Sequence, residues 1–414
     1  MKILLATYWL IPHVGGVWAY LKCLKQELEN LGHSVDILAH DSTVTKYIIW
    51  NTEKYILKRK IREPISSKLD YFNKNWKFTL DANETEILNN ELEHHCFAAA
   101  SAFSCLSQYD LIHTHDVIST RAIANVIPPH IPFISTIHGC LATEYIISQQ
   151  NKNTRLDILQ LKETLLWKYY SAREFFGATK SDVTHVPTHW LKNLLTDEFK
   201  VPEKQLYVRP LGMDVEIFLE KMLEPVRSLP PKKEITIICP ARLTPEKGHT
   251  FLLDALVRLK QENPNWICWL AGDGELKEIL DSKVKELNLE EFVVFLGTRD
   301  DVPALLKHTD ILVLPSLQDN HPYTIMEAQV AGVPVVASDA GGIPEMVTDH
   351  HTGLISTKGD SESLFLGLKE LIENKLLREN LAKNAREFGI NHWSMKNQIH
   401  QAIDLYEMTI LQKS

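Results

Sequence analysis

Arg242 and Lys247 stand five positions apart in the segment PARLTPEKG (240–248). A guanidinium and an ammonium on one loop suit a ligand whose negative charge grows as a bond breaks, such as a departing diphosphate. Two solvated surface charges would explain the spacing as simply. A second segment, LPSLQDNHPYTIMEAQVAGVPVVASDAGGIPE (314–345), places Asp319 eight positions before Glu327. Pro322 suits the first turn of a helix, and Gly332 suits its end. Glu327 then lies inside that helix, and Asp319 lies in the loop before it. Helix amides can face a phosphate while flanking carboxylates accept hydrogen bonds from sugar hydroxyls. A capping carboxylate and a surface glutamate are the plainer explanation. Gly341-Gly342 permits close backbone approach before Pro344 opens another helix.

Other segments hold weaker signals. LAGDGEL (270–276) carries Gly272 and Gly274 but lacks the G-x-G-x-x-G of a dinucleotide site, so it reads as a strand-to-helix turn. Gly15-Gly16 breaks the first apolar run and can offer N–H groups to a phosphate. His138 ends another apolar run beside Gly139, where its ring can project toward a ligand, although a lone histidine is more often structural. His113 and His115 have a ligand-like spacing, but alternation along a strand accounts for it, and no third ligand is near in sequence. No metal is expected.

These residues need elements to hold them. The chain has 414 residues, 44% hydrophobic and 23% charged, which suits a folded protein of two domains. A formal charge of −9 argues against a nucleic-acid partner. The six cysteines form no C-x-x-C pair and read as reduced, buried thiols of a cytoplasmic protein. The opening MKILLATYWL reads as a strand, not a signal peptide, and no apolar run is long enough for a membrane span.

KILLATYW is an apolar run typical of a buried parallel strand, and VWAYLKCLKQELENLG follows with helical spacing. The alternation of strand and helix continues to about residue 208 and restarts at ITIICPA. The expected division is 1–208 as a first Rossmann-like domain, 209–232 as a Pro-rich linker, 233–390 as a second Rossmann-like domain, and 391–414 as one long terminal helix. Residues 43–95 interrupt the first domain as an insertion. Between 44 and 78 there are nine Lys/Arg against three Asp/Glu, with Trp50, Tyr55, Tyr71, Phe72 and Trp76 among them. A solvated insertion explains this; a peripheral contact with an anionic membrane face or an anionic acceptor is the sharper reading.

Taken together, Gly15-Gly16, His138-Gly139, Arg242 with Lys247, AGDG at 271–274 and the 314–345 block ending in GGIPE resemble the retaining glycosyltransferases of family 4 (glycosyl transferases group 1), over nearly the whole chain. The resemblance implies an α/β GT-B fold, with two Rossmann-like domains facing across a cleft and a terminal helix that returns to the first. It implies a nucleotide-sugar donor, UDP-linked as first choice, and a metal-independent transfer to an acceptor hydroxyl. Arg242 and Lys247 would hold the diphosphate, Glu327 the ribose, Gly15 and Gly16 the phosphates by backbone, and His138 the sugar near its 6-hydroxyl. Thr298 and Arg299 would border the base. Asn320, His321, Tyr323 and Thr324 would complete the donor site. The family has glutamate where this chain has Asp319, so the contact with the sugar's 3- and 4-hydroxyls would shift or the donor sugar would differ. A UDP-sugar epimerase of the same fold would act on its donor without any acceptor. A non-catalytic scaffold would bind UDP without turnover.

Overall fold

The computed structural model describes residues 1–13, 15–76, 80–152 and 156–413, and the side chains of all these except 69–76. Fourteen strands form two sheets among the described residues. The first contains β1 (Lys2–Ile11), β2 (Ser34–Asp41), β3 (Lys46–Ile49), β4 (Tyr55–Leu57), β5 (Leu111–Thr114), β6 (Phe133–Thr136), β7 (Val183–Val186) and β8 (Leu206–Val208), in the order β4-β3-β2-β1-β5-β6-β7-β8. The second contains β9 (Ile235–Pro240), β10 (Trp266–Ala271), β11 (Val293–Phe295), β12 (Ile311–Leu314), β13 (Val335–Ser338) and β14 (Gly353–Ser356), in the order β11-β10-β9-β12-β13-β14. The second sheet is parallel throughout. Its strands are apolar because helices cover both faces, so β9 and β10 are buried at every position.

Strand order reverses direction between β1 and β5 in one sheet, and between β9 and β12 in the other. Loops leaving adjacent strands on either side of such a switch part company and leave a crevice beyond the carboxyl ends. The chain divides into two compact units. One comprises Met1–Ile146, Asn153–Pro210 and Ile399–Ser414; the other comprises Ile147–Lys152 and Leu211–Gln398.

Several expectations need correction. Residues 43–95 are not a solvated insertion. β3 and β4 extend the first sheet in antiparallel fashion, and the helix Ala82–Phe103 places Leu92, Cys96 and Phe97 in the core under β1 and β5. The short β3 and β4 hid this, since three or four residues cannot show a period. Tyr71, Phe72 and Trp76, expected among the aromatics of this stretch, lie outside the described side chains. The stretch 209–232 is not a bare linker: it contains the helix Val215–Met222, whose Val215 and Phe218 enter the second unit's core. The terminal segment is one helix, but it begins at Met395 and not at Asn391. Lys375–His392 and Met395–Lys413 are separated where Trp393 turns inward. Trp393 Nε1 donates to Gln329 Oε1 at 2.5 Å, and its carbonyl accepts from Met213 N at 2.7 Å, so tertiary bonding breaks the helical ladder there. Pro344 opens a single 3-10 turn, Ile343–Glu345, and no longer helix. Cys105 is exposed, unlike the other five cysteines. No helix among the described residues is long and apolar enough to cross a membrane.

Candidate functional site

In the second unit, hydrogen bonds join the segments that follow β9 and β12. Leu317 N donates to the carbonyl of Glu246 at 2.7 Å. Lys247 Nζ donates to Asp319 Oδ2 at 2.6 Å, with both side chains largely buried. Thr324 Oγ1 donates to the carbonyl of Pro240 at 3.1 Å. Lys247 is delivered by a short 3-10 turn, Pro245–Lys247, at the carboxyl end of β9. Asp319 lies beyond the carboxyl end of β12, and Ser316 Oγ also donates to its Oδ2, at 3.3 Å. Little water screens a partly buried ion pair of this kind, so the two groups attract each other more strongly than a surface pair.

Arg242 stands at the edge of the same cluster. Its guanidinium pairs with Glu246 Oε1 at 3.1 Å and is 65% exposed, so it remains open to a ligand. Thr244 Oγ1 donates to the same carboxylate oxygen at 2.6 Å. Glu246 therefore organises the loop twice, by its carbonyl and by its carboxylate. Glu246 is not among the residues that the sequence singles out, although its i+4 spacing from Arg242 is a signal for it. AGDG, as expected, is structural. A Cβ on Gly272 would lie 1.9 Å from the carbonyl oxygen of Ala241, and Leu243 N donates to the carbonyl of Asp273 at 3.0 Å. The turn after β10 thus props the Arg242 loop from beneath.

The helix Tyr323–Ala331 starts at Pro322 and ends at Gly332, which adopts φ 73°. Asn320 and His321 are buried just before it. His321 packs edge-on against Trp393 at 5.2 Å, and Tyr323 OH donates to the carbonyl of Gly212 at 2.6 Å. Glu327 is half-buried on this helix. Burial pushes its carboxyl up to about 7, against a smaller opposing pull from Lys221. Thr298 and Arg299 follow β11. Arg299 is locked by Asp301 through two bonds of 2.6 Å, and none of its bonds reaches the Lys247–Asp319 pair.

In the first unit, Gly15 caps the helix Gly16–Asn30. His138 lies two residues past β6, and its Nε2 is 3.3 Å from His115 Nδ1. Glu174 Oε1 accepts from the backbone N–H of Leu141 at 2.6 Å and of Ala142 at 3.3 Å, which fixes the chain just after His138-Gly139. Burial raises the Glu174 carboxyl to about 7. His113 serves a structural purpose. The carbonyl of Arg209 must accept from His185 Nε2 (2.7 Å), so neutral His185 accepts at Nδ1 from Thr136 Oγ1 (2.9 Å). Thr136 then accepts from His113 Nε2 (2.7 Å), and His113 Nδ1 accepts from Tyr406 OH (2.9 Å). Burial holds both imidazoles neutral, with His185 lowered to about 4. Neither Glu174 nor Tyr406 is singled out by any local pattern; their partners are remote in sequence.

A family model described as glycosyl transferases group 1 matches residues 221–388, and one described as glycosyltransferase family 4 matches residues 14–217. The MMP α-(1→4)-mannosyltransferase of Mycolicibacterium hassiacum is 24% identical over 99% of this chain and 98% of that protein. Among solved structures, sucrose-phosphate synthase from Thermosynechococcus elongatus superimposes with a TM-score of 0.73 at 19% identity, covering 99% of each chain. Anabaena HepE in complex with UDP-glucose gives a TM-score of 0.66 at 19% identity, covering 98% of this chain and 99% of that one.

Proposed function

Because this chain belongs to the group 1, family 4 glycosyltransferases of GT-B fold and transfers a sugar from a nucleotide sugar, we propose that it takes a hexose or N-acetylhexosamine from a UDP-linked donor and passes it, with retention, to an acceptor hydroxyl. The observation that carries this reading is the Lys247–Asp319 pair at 2.6 Å, at the strand-order switch of the second sheet, with the exposed Arg242 beside it. The UDP assignment draws further support from the HepE complex with UDP-glucose.

In the proposed reaction, Arg242 and Lys247 hold the donor's diphosphate. The bond between the sugar's anomeric carbon and the phosphate oxygen breaks as the acceptor oxygen forms its bond on the same face. The acceptor's proton passes to the departing phosphate oxygen. The two cations meet the charge that develops there, and they cost no reorganisation because the loops are already tied together. Lys247 divides its charge between that phosphate and Asp319, which leaves the aspartate ready to accept from a sugar hydroxyl. Glu327 accepts from the ribose. Thr298 and Arg299 border the base. Asn320, His321, Tyr323 and Thr324 complete the donor side.

The direct test is a screen of UDP-, GDP- and ADP-sugars for slow hydrolysis without acceptor, followed by acceptors against the best donor. Hydrolysis of no donor sinks the reading. Full activity is expected in EDTA, because two side-chain cations stand where a metal would otherwise neutralise the diphosphate; activity lost in EDTA and restored by Mg²⁺ would overturn this.

Glu327 gives a pH prediction. Its folded-state carboxyl titrates near 7 and so holds its proton more tightly than in the unfolded chain. Its contribution to stability is therefore greatest at low pH and is lost as pH rises toward 7. Only the ionised form offers both oxygens as charged acceptors to the ribose hydroxyls, with no proton in the way. Affinity for a UDP-sugar, whose diphosphate does not titrate in this range, should tighten about tenfold between pH 6 and 8. Calorimetric titration checks it, and Glu327→Gln should flatten the profile. An equal slope in both proteins removes the ribose assignment.

A further inference from the structure

Arg173, on the helix Leu165–Thr179, is only 4% exposed. Its Nε is enclosed and has no hydrogen-bond acceptor, and no ion pair reaches its guanidinium among the described residues. A guanidinium keeps its charge in a protein, and one buried without a partner is strongly destabilising. The carboxylates bonded to Tyr8 and Tyr169 are already engaged. Glu91 accepts two bonds from Arg121, at 2.5 and 2.8 Å, and one from Tyr169. Glu93 pairs with Lys58 at 2.6 Å and Arg62 at 3.3 Å, and accepts from Tyr8 OH. Asp116 accepts from Thr7, Tyr8 N and Ser119 N. What Arg173 has instead is the ring of Tyr169, 5.4 Å from its Cζ, with Tyr8 and Tyr170 close enough to feel its charge. All three tyrosines are half-buried and not fully enclosed.

The position is informative. Glu174, the next residue, clamps the chain just after His138-Gly139. Tyr8 N is bonded to Asp116, and the residue before Asp116 is His115, which touches His138. Arg173 therefore shares with His138 the end of the first sheet where β1 and β5 diverge.

We propose that Arg173, beneath Tyr169 and beside Tyr8, binds an oxyanion, a phosphate or a carboxylate, carried by the acceptor. The planar fork of a guanidinium fits either group with two parallel hydrogen bonds. That the anion belongs to the acceptor rests on the transferase reading above; that the anion binds here does not.

The test is thermal unfolding of the full chain against potassium phosphate, at ionic strength fixed with KCl, for the parent, Arg173→Met and Lys247→Ala. Phosphate should raise the apparent Tm of the parent and of Lys247→Ala alike, by about 3 °C at ten times its Kd. Arg173→Met should not respond, and without anion it should be at least as stable as the parent, since an unpaired buried charge is gone. Malonate in place of phosphate tells a carboxylate site from a phosphate site by the larger shift. An equal shift in Arg173→Met overturns the proposal, as does no shift in the parent with either anion up to about 50 mM. If the methionine variant does not fold, Arg173→Lys keeps the charge and loses the fork; its shift should be smaller than the parent's, and an equal one also overturns the proposal. A normal turnover in Lys247→Ala would sink the donor assignment and leave these outcomes untouched.

Discussion

The Lys247→Ala protein is expected to transfer sugar at least about a hundredfold more slowly than the parent chain, the scale of losing one preorganised charge contact. That corresponds to about 2.7 kcal/mol of transition-state stabilisation. The variant suffers twice. The diphosphate loses a cation, and Asp319 loses the partner that stands 2.6 Å away, so an uncompensated carboxylate then faces the phosphates. Arg242→Ala should also fall about a hundredfold, but its partner Glu246 keeps the hydroxyl of Thr244, so the loop itself survives. Adding Asp319→Ala to Lys247→Ala should be less damaging than the product of the two single effects, because the repelling carboxylate goes with it. Initial rates on protein whose circular dichroism matches the parent would check all three. Unchanged turnover in folded Lys247→Ala removes the diphosphate assignment.

Gly341→Ala should act through the backbone and not through charge. Gly341 adopts φ 63°, and a Cβ there would lie 1.8 Å from the carbonyl oxygen of Asp319. That oxygen also accepts from Gly342 N at 3.0 Å. The left-handed conformation costs an alanine about 1 kcal/mol, and the clash can be relieved only by moving the Asp319 loop. We expect a loss of at least about 3 kcal/mol, read as a fall of about 6–12 °C in the unfolding of the second unit. Transfer should fall with it, since Asp319 and its bond to Lys247 shift together. An unaltered Tm would mean that the loop is free to adjust, and the steric account would fail.

Much of the second unit was legible because its signals are local. The helix from Tyr323 to Ala331 is bounded by a proline and a glycine, and the structure puts them at its two ends. β9 and β10 are continuous apolar runs, as strands buried on both faces must be. The pairing of Lys247 with Asp319 was not legible. It joins residues 72 apart and depends on β9 and β12 being neighbours, which strand order alone decides. The first unit was harder to read for a related reason. β3 and β4 are short, and the basic run around them drew attention to charge when hydrogen bonding to β2 was what mattered. Lys58 and Arg62 from that run are spent on Glu93. The break at Trp393 was invisible because the hydrophobic spacing continues across it, and only the bonds to Met213 and Gln329 reveal the turn.

The directed chain from Tyr406 through His113 and Thr136 to His185 bears on how the molecule is made. Tyr406 lies 293 residues after His113 and belongs to the same compact unit, as does Lys413, which pairs with Asp182 at 3.1 Å. On the ribosome, the unit that begins first is therefore finished last. The second unit has all its residues by Gln398, whereas the first must wait for the final helical turns before His113 gains its hydroxyl donor. A gene fragment ending at residue 210 would encode every strand of the first sheet and still produce an incomplete fold.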